Sequence, residues 1–390
     1  MHEVVKFSGM IISRLKLKNW KNFREIDVPL MNRVFLVGPN ASGKSNLLDA
    51  FKFLRDVAKP GGGLQNAVLD RGGISKIRCL AARSHPDVEL EIHLSDYDSN
   101  IVSWKYAIGI KQETRGYRLP ILTYEKVWKG EELILNRPDS DDKKDKERLT
   151  QTHLEQINAN KIFREIARFL ESVVYLHLVP QLLKHPQSFT GPDLPGDPFG
   201  KGFLDRISKV NENTRNAWLR KIENALKFAV PQCNKFEFKE ENGRPHLEAL
   251  YDHWRPKAGK QKEDQFSDGT LRFIALLWSL QEGDSLLLLE EPELSLNSAI
   301  VTRIPALIYK FQKPKKRQVL ISTHSMDLLS DKGISLDEIL VLSPLAEGTT
   351  VNTAASIPVI REMMAGGLSP ADAILPRTKP KNINQLSLFD

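Results

Sequence analysis

The sequence predicts an α/β fold in which part of the sheet is parallel. Three observations predict it. From Leu271 to Ser343, short apolar runs alternate with helical patterns, the way a strand–crossover–strand sheet reads. Near the start, the apolar run Arg33–Val37 feeds a glycine-bounded loop, and a helical pattern follows at once. Between these regions, Val88–Leu94, Ile101–Ile110 and Leu122–Trp128 read as strands of an antiparallel sheet, partly by alternation.

The elements follow in order. Ile11–Leu17 mixes apolar and basic side chains as a half-exposed strand does, and Asn19–Phe23 (NWKNF) reads as a turn. Leu47, Phe51, Leu54 and Ala58 recur at helical spacing after the first loop, and Pro60 with Gly61–Gly63 ends that helix. Pro138–Arg148 is charged and free of apolar residues, which predicts a solvated loop. Ile157, Phe163, Ile166 and Leu170 predict a helix over Glu155–Leu170, and Val173–Val179 a strand. Pro186–Gly202, rich in proline and glycine, predicts irregular chain. Asn216–Phe228 reads as a helix. Lys235–Lys239 and Pro245–Tyr251 pair around Asn242–Gly243, a strong hairpin dipeptide. Arg255–Asp264 reads as a loop. Then come helix Leu271–Leu280, strand Ser285–Leu289, helix Ala299–Lys310, strand Gln318–Ser322, helix Met326–Leu329 and strand Glu338–Ser343.

Composition narrows the class. The chain has 390 residues, 41% hydrophobic and 27% charged, values of a globular protein rather than a disordered or collagen-like one. Two cysteines, Cys79 and Cys233, are too few for a disulfide framework or a thiolate metal cluster, which points to a reducing compartment. No apolar run reaches the roughly 18 residues of a membrane helix, and the first ten residues lack the apolar core of a signal peptide. The expectation is a cytoplasmic protein without a membrane partner. A net charge of +7 permits contact with DNA without demanding it.

Four segments carry chemistry. Gly38, Pro39, Asn40, Ala41, Ser42, Gly43, Lys44 and Ser45 spell G-x-x-x-x-G-K-S between a strand and a helix. That is the context in which backbone N–H groups and a helix N-terminus cradle phosphates. Lys44 would neutralise the β- and γ-phosphates and Ser45 would hold Mg²⁺. In Leu286–Ser295 (LLLLEEPELS), a leucine strand ends in adjacent carboxylates. Glu290 would orient water on Mg²⁺ and Glu291 would polarise the attacking water; on its own the pair also reads as an ordinary helix entry. In Gln265–Leu277, Ser267 caps a helix and Gly269 opens its first N–H groups as a second phosphate site, or the segment is simply a cap. His324, in ISTHS, lies just past an apolar strand, where an imidazole reaches a γ-phosphate; a lone histidine there is more often structural.

Taken together, these segments resemble the ATP-binding cassette ATPases, in the soluble RecF/SMC/OLD-like branch. The resemblance covers about residues 10–60 and 262–345 and extends to the late IPVIREMMAGGLSPADAI. RLKLKNWKNF with VGPNASGKSNLLDA resembles that branch's opening strands and Walker A, Ser267–Thr270 (SDGT) stands at its signature, Glu290–Glu293 (EEPE) at Walker B and the D-loop, and Thr323–Ser325 at its switch histidine. The resemblance implies a P-loop NTPase fold of ABC-ATPase head type: a mixed central sheet, an antiparallel β subdomain and a helical insertion. It implies an N-terminal ATPase lobe over 1–130, an insertion over 131–255 and a C-terminal ATPase lobe over 256–390.

It also implies roles: Gln181 (with Gln187 nearby) as the glutamine that meets Mg²⁺ and the attacking water, Arg71 of DRGG as a phosphate-reaching arginine, and Asn46, Asp268 and the rest of the loop and signature as nucleotide contacts. Asn297 stands where relatives often carry histidine, and Glu290 where Asp is commoner. In this family the signature faces the ATP of a second copy, so ATP-dependent head-to-head dimerisation is expected. The expected role is a sensor or regulator in a bacterial defence or toxin–antitoxin-like module with a separately encoded effector. The competing role is a RecF-like DNA-repair ATPase. The 66 residues after His324 are too few for the TOPRIM domain of OLD-like nucleases with the rest of the head, the sequence has no HNH pattern, and Pro86–His93 (PDVELEIH) reads as a strand rather than a nuclease motif. Lys313–Arg317 (KPKKR) reads as a solvated helix end or a DNA contact.

Overall fold

A computed structural model describes residues 9–82, 86–99, 101–114, 117–188, 197–252 and 259–378. β1 (Met10–Trp20) and β2 (Phe23–Pro29) form a hairpin, and β3 (Arg33–Val37) is a strand with every residue buried. β4 (Val88–Asp96), β5 (Val102–Gln112), β6 (Pro120–Lys129) and β7 (Glu132–Arg137) complete a six-stranded sheet of order β2-β1-β4-β5-β6-β7, antiparallel throughout. β8 is Val174–Leu176. β9 (Cys233–Glu241), β10 (Arg244–Tyr251) and β11 (Lys260–Lys262) make a three-stranded antiparallel sheet. β12 (Leu287–Glu290), β13 (Val319–Thr323), β14 (Ile339–Leu345) and β15 (Gly348–Thr353) join β3 and β8 in a sheet of order β15-β14-β3-β13-β12-β8. β3 pairs in parallel with β13 and β14, and β15 returns antiparallel, so the sheet is mixed.

The chain divides into two compact units: Met1–Val174 with Asp284–Leu288 and Gln312–Asp390, and Tyr175–Gly283 with Leu289–Phe311. The first holds the six-stranded antiparallel sheet and strands β3, β13, β14 and β15 of the mixed sheet. Its helix Lys44–Ala58 buries Leu47, Leu48, Phe51 and Leu54, the stripe that the 3.6-residue period predicts. Gln318 crosslinks the two sheets: its amide donates to the carbonyls of Ile12 (2.7 Å) and Met31 (3.0 Å) and accepts from Ile12 N–H (2.9 Å). The second unit holds β9–β11 and the helices Glu212–Ala229 and Asp268–Gln281. Buried Trp278 meets Phe203 and Trp218 edge to face at centroid distances of 6.5 and 5.1 Å, the geometry aromatic quadrupoles favour.

The structure departs from several sequence expectations. Asn19–Phe23 is mostly strand: β1 runs to Trp20, which pairs with Phe23, leaving Lys21–Asn22 as the turn. Pro138–Arg148 is not a solvated loop. Asp139 caps a short helix, Ser140–Lys144, and Asp142 is buried with Arg137, whose guanidinium donates to Asp142 (2.9 Å) and Glu125 (3.0 Å). Charges bury when a partner distant in sequence neutralises them.

Over Glu155–Leu170, only Arg164–Glu171 is α-helical, preceded by a 3₁₀ turn at Asn160–Phe163. Glu155 instead accepts from Leu64 N–H (2.8 Å) and Thr152 Oγ1 (2.9 Å), and Asn160 donates to the Leu154 carbonyl, so side chains compete for the backbone groups a helix needs. The Ala299–Lys310 helix is split into Ser298–Val301 and Ile304–Lys315. Within KPKKR, Arg317 is buried and donates to the Ser285 carbonyl at 2.6 Å, while Lys316 pairs with Asp98. Of the expected loop Arg255–Asp264, residues 255–258 lie outside the described residues, and Lys260–Lys262 is a strand. Of Pro186–Gly202, residues 189–196 lie outside them too. Strands β7 and β15 were not expected.

Candidate functional site

In the first unit, β3 delivers the chain into the Gly38–Ser45 loop. Glycine is needed at both ends. A Cβ on Gly38 would lie 2.7 Å from the Leu342 carbonyl, and one on Gly43 2.2 Å from Asn22 Nδ2. Gly43 (φ 97°) and Ala41 (φ 61°) both take left-handed backbone, which tightens the loop so that successive N–H groups turn toward one concavity. Gly43 is the N-cap of helix Lys44–Ala58, no side chain caps that end, and no acidic residue lies in its first turn. The dipole end is therefore left open to an anion. Lys44 is nearly buried and its ammonium donates to the carbonyls of Gly38 (3.2 Å) and Pro39 (3.3 Å). His324 sits at the same edge. Thr323, the last residue of β13, pairs with Val37, the last of β3. His324 and Gly38 thus leave neighbouring parallel strands side by side, and His324 is exposed.

In the second unit, Glu290 ends β12 with its carboxylate accepting from Tyr175 Oη, and His177 Nδ1 lies 3.3 Å from its carbonyl. Glu291 follows with φ 45°, a conformation sparsely populated for any residue but glycine and found mostly where structure over-determines it. Ser267 caps helix Asp268–Gln281, its Oγ accepting from Thr270 N–H at 3.1 Å. Gly269 has a role the sequence did not disclose. It is buried, and a Cβ there would lie 2.3 Å from the Ser295 carbonyl. Gln181 and Lys184, one helical turn apart, grip the two oxygens of Asp268 at 2.8 Å each. The hydrogen bond and charge of Lys184 hold the Asp268 carboxyl below its usual pKa. Asn297 caps Ser298–Val301 through Ala299 N–H at 2.9 Å.

Arg71 is the predicted residue placed most differently from a surface turn. Its side chain is nearly buried against helix Lys44–Ala58, with its guanidinium 2.9 Å from both oxygens of Asp49 and 3.0 Å from Asp56. The side chain of Gln187 lies outside the described residues.

Comparison with known proteins decides the family. Residues 33–331 match the family model described as "AAA domain, putative AbiEii toxin, Type IV TA system", more than half of the chain. The chain belongs to this family. It is 47% identical over 87 residues to the DNA replication and repair protein RecF of Brucella abortus (strain 2308) and of Brucella suis biovar 1. That match spans 20% of this chain and 22% of the relatives' length. In fold it is similar to the crystal structure of an SmcHead bound to the C-winged helix domain of ScpA. The TM-score is 0.52 and the identity 17%, covering 87% of this chain and 97% of that one.

The residues of this AAA-domain protein fit a magnesium nucleotide. The loop offers N–H donors, a cation and an uncapped helix end, and the Ser42 hydroxyl is buried with no hydrogen-bond partner among the described residues. Ser45, at the end of that loop, offers a hydroxyl oxygen of the kind a hard divalent ion takes. Sequence reasoning missed Asn22, which touches the loop, and Tyr175 and His177, which orient Glu290. Asn22 lay inside the NWKNF turn, where only its partners could have marked it. No helix among the described residues is long and apolar enough to cross a membrane.

Proposed function

We propose that this protein binds ATP with Mg²⁺ at the Gly38–Ser45 loop and hydrolyses it to ADP and phosphate. The observation that carries the reading is the shared edge of β3 and β13, where Gly38 and His324 emerge side by side. Lys44 exchanges its two loop carbonyls for phosphate oxygens. The loop from Pro39 to Asn46 orients the phosphate chain, and His324 donates to the γ-phosphate end. Ser45, Gln181 and Glu290 would hold Mg²⁺, which screens phosphate charge when bound. Gln181 leaves Asp268 to do so. Glu291 orients the attacking water and takes its proton. Arg71 reaches a phosphate only by giving up Asp49 or Asp56, so it ranks last among the assigned groups.

In this reading two copies meet head to head, each nucleotide lying between the loop of one and Ser267, Asp268 and Gly269 of the other. The ATPase lobes are residues 1–130 and 256–390, and 131–255 is the insertion between them. The protein acts in the cytoplasm as sensor or regulator of a bacterial defence or toxin–antitoxin-like module, with a separately encoded effector; the toxin–antitoxin wording of its family supports this. A second reading, an ATPase that binds DNA in repair or recombination, is favoured by the RecF match. ATP turnover stimulated by DNA alone, with a steep salt dependence, would select it.

Phosphate release and nucleotide binding test the engine. Glu291→Gln is expected to keep ATP affinity while hydrolysis falls about a hundredfold or more, and Lys44→Ala to lose binding itself. Wild-type turnover in Glu291→Gln would remove the role given to that carboxylate.

A further inference from the structure

Asn22 joins three separate segments of the first unit. Its Nδ2 donates to the Ser42 carbonyl (2.9 Å) and to Thr349 Oγ1 (2.8 Å), and its Oδ1 accepts from Asn46 Nδ2 (2.8 Å). Its backbone carbonyl accepts from Thr349 N–H at 2.8 Å. Both N–H bonds of the amide are thereby donated and its oxygen accepts one, so its donors are fully committed. Two glycines from unconnected segments make room for it. A Cβ on Gly43 would lie 2.2 Å from Asn22 Nδ2, and one on Gly348 2.8 Å from its backbone carbonyl. Gly43 and Gly348 also have φ of 97° and 135°, closed to most side chains. The junction is built around this one amide.

The contact with Ser42 has a direct consequence for the loop. A peptide unit is planar and trans, so its C=O and the following N–H point in opposite directions. By holding the Ser42 carbonyl, Asn22 turns the Gly43 N–H the other way. That group belongs to the loop that would cradle phosphate. The hydrogen bond from Asn46 Nδ2 ties the first turn of the helix, where the unshared N–H groups lie, to the same amide. Without Asn22, Gly43, unrestrained by a Cβ, is free to let the Ser42–Gly43 peptide rotate.

We propose that Asn22 is a positioning residue for the nucleotide site, acting through the Ser42 carbonyl and Asn46 to aim the Gly43 N–H at the phosphate chain. The inference rests on the ATP-binding reading above. It predicts an effect on nucleotide affinity that exceeds any effect on chemistry at saturation. It also predicts that the Ser42 and Asn46 contacts matter for binding and the Thr349 contact does not.

Calorimetric titration of MgATP into full-length protein, with single-turnover hydrolysis and thermal melts alongside, tests this. Asn22→Leu, similar in shape and unable to hydrogen-bond, should weaken Kd about tenfold, as expected for two lost hydrogen bonds. The single-turnover rate at saturating ATP should stay within about twofold. Asn22→Asp keeps the acceptor for Asn46 but cannot donate to Ser42, and should weaken binding at least as much. Thr349→Val removes one acceptor at the far side of the amide and should leave Kd within about twofold. Wild-type affinity in Asn22→Leu overturns the proposal. So does an equal loss in Thr349→Val that tracks a fall in melting temperature, because the junction would then be merely structural. Wild-type protein that is folded yet binds no MgATP overturns the ATP-binding reading and this inference with it.

Discussion

Arg71 holds two carboxylates, Asp49 and Asp56, on one face of the helix that begins at Lys44. All three side chains are nearly buried. Burial pushes both carboxyls up, but the charge of Arg71 with Lys21 at Asp49, and of Arg55, Arg71 and Lys59 at Asp56, pulls both pKa values below the usual range. A depressed carboxyl stabilises the fold fully above its unfolded pKa, about 3.9, and loses that contribution as pH falls through the folded value. Urea midpoints should therefore drop as pH falls below about 4, and Asp49→Asn should show a shallower drop there. Arg71→Ala leaves Asp49 with Lys21 alone and Asp56 with Arg55 and Lys59, and should cost about 1.5–3 kcal/mol through the lost charge-assisted hydrogen bonds. A normal melt for Arg71→Ala would show that the cluster contributes little, and would return Arg71 to a role at phosphate.

The helix Asp268–Gln281 shows what a single element demands of its neighbours. Its Ser267 cap and apolar stripe are local, so both were legible in the sequence. The close approach of Gly269 to the Ser295 carbonyl was not, because it joins residues from different turns of the chain. Gly269→Ala places a methyl 2.3 Å from a backbone oxygen. One of the two segments must move, for about 1–3 kcal/mol, despite alanine's higher helix propensity. A denaturant melt of Gly269→Ala matching wild type would mean the segment after Glu291 yields easily.

The same division runs through the fold. β3 and its loop, the hairpin at Asn242–Gly243 (φ 52° and 73°) and helix Met326–Leu329 were readable from periodicity and turn chemistry. Arg137 and Asp142 were not: a charged stretch looks solvated until Glu125, on another strand, is known to sit beside it. Arg137→Met strands Glu125 and Asp142 in the interior and should destabilise by about 3–5 kcal/mol in the same melts.

At the scale of the whole molecule, the proposed chemistry divides its parts between two copies. The loop with Lys44 serves one nucleotide and the Ser267 helix start serves the other, so each variant damages a different half of every composite site. A C2 dimer holds two such sites. Lys44→Ala spoils the loop and Ser267→Arg the signature, so either homodimer has no intact site. In a mixture, a heterodimer pairs the loop of the Ser267→Arg copy with the signature of the Lys44→Ala copy, which restores one site of two. Because pairing depends on ATP, the mixed dimer with its one intact site is the pairing ATP favours, and activity should recover to at most about half of wild type. Loss of the Ser267 cap should lower stability by only about 1 kcal/mol, so both proteins stay folded for the mixing. Light scattering should show the mass doubling only with ATP, and most persistently in Glu291→Gln, where hydrolysis does not release the pair. Two folded but inactive proteins that remain inactive when mixed would place the whole site within one chain.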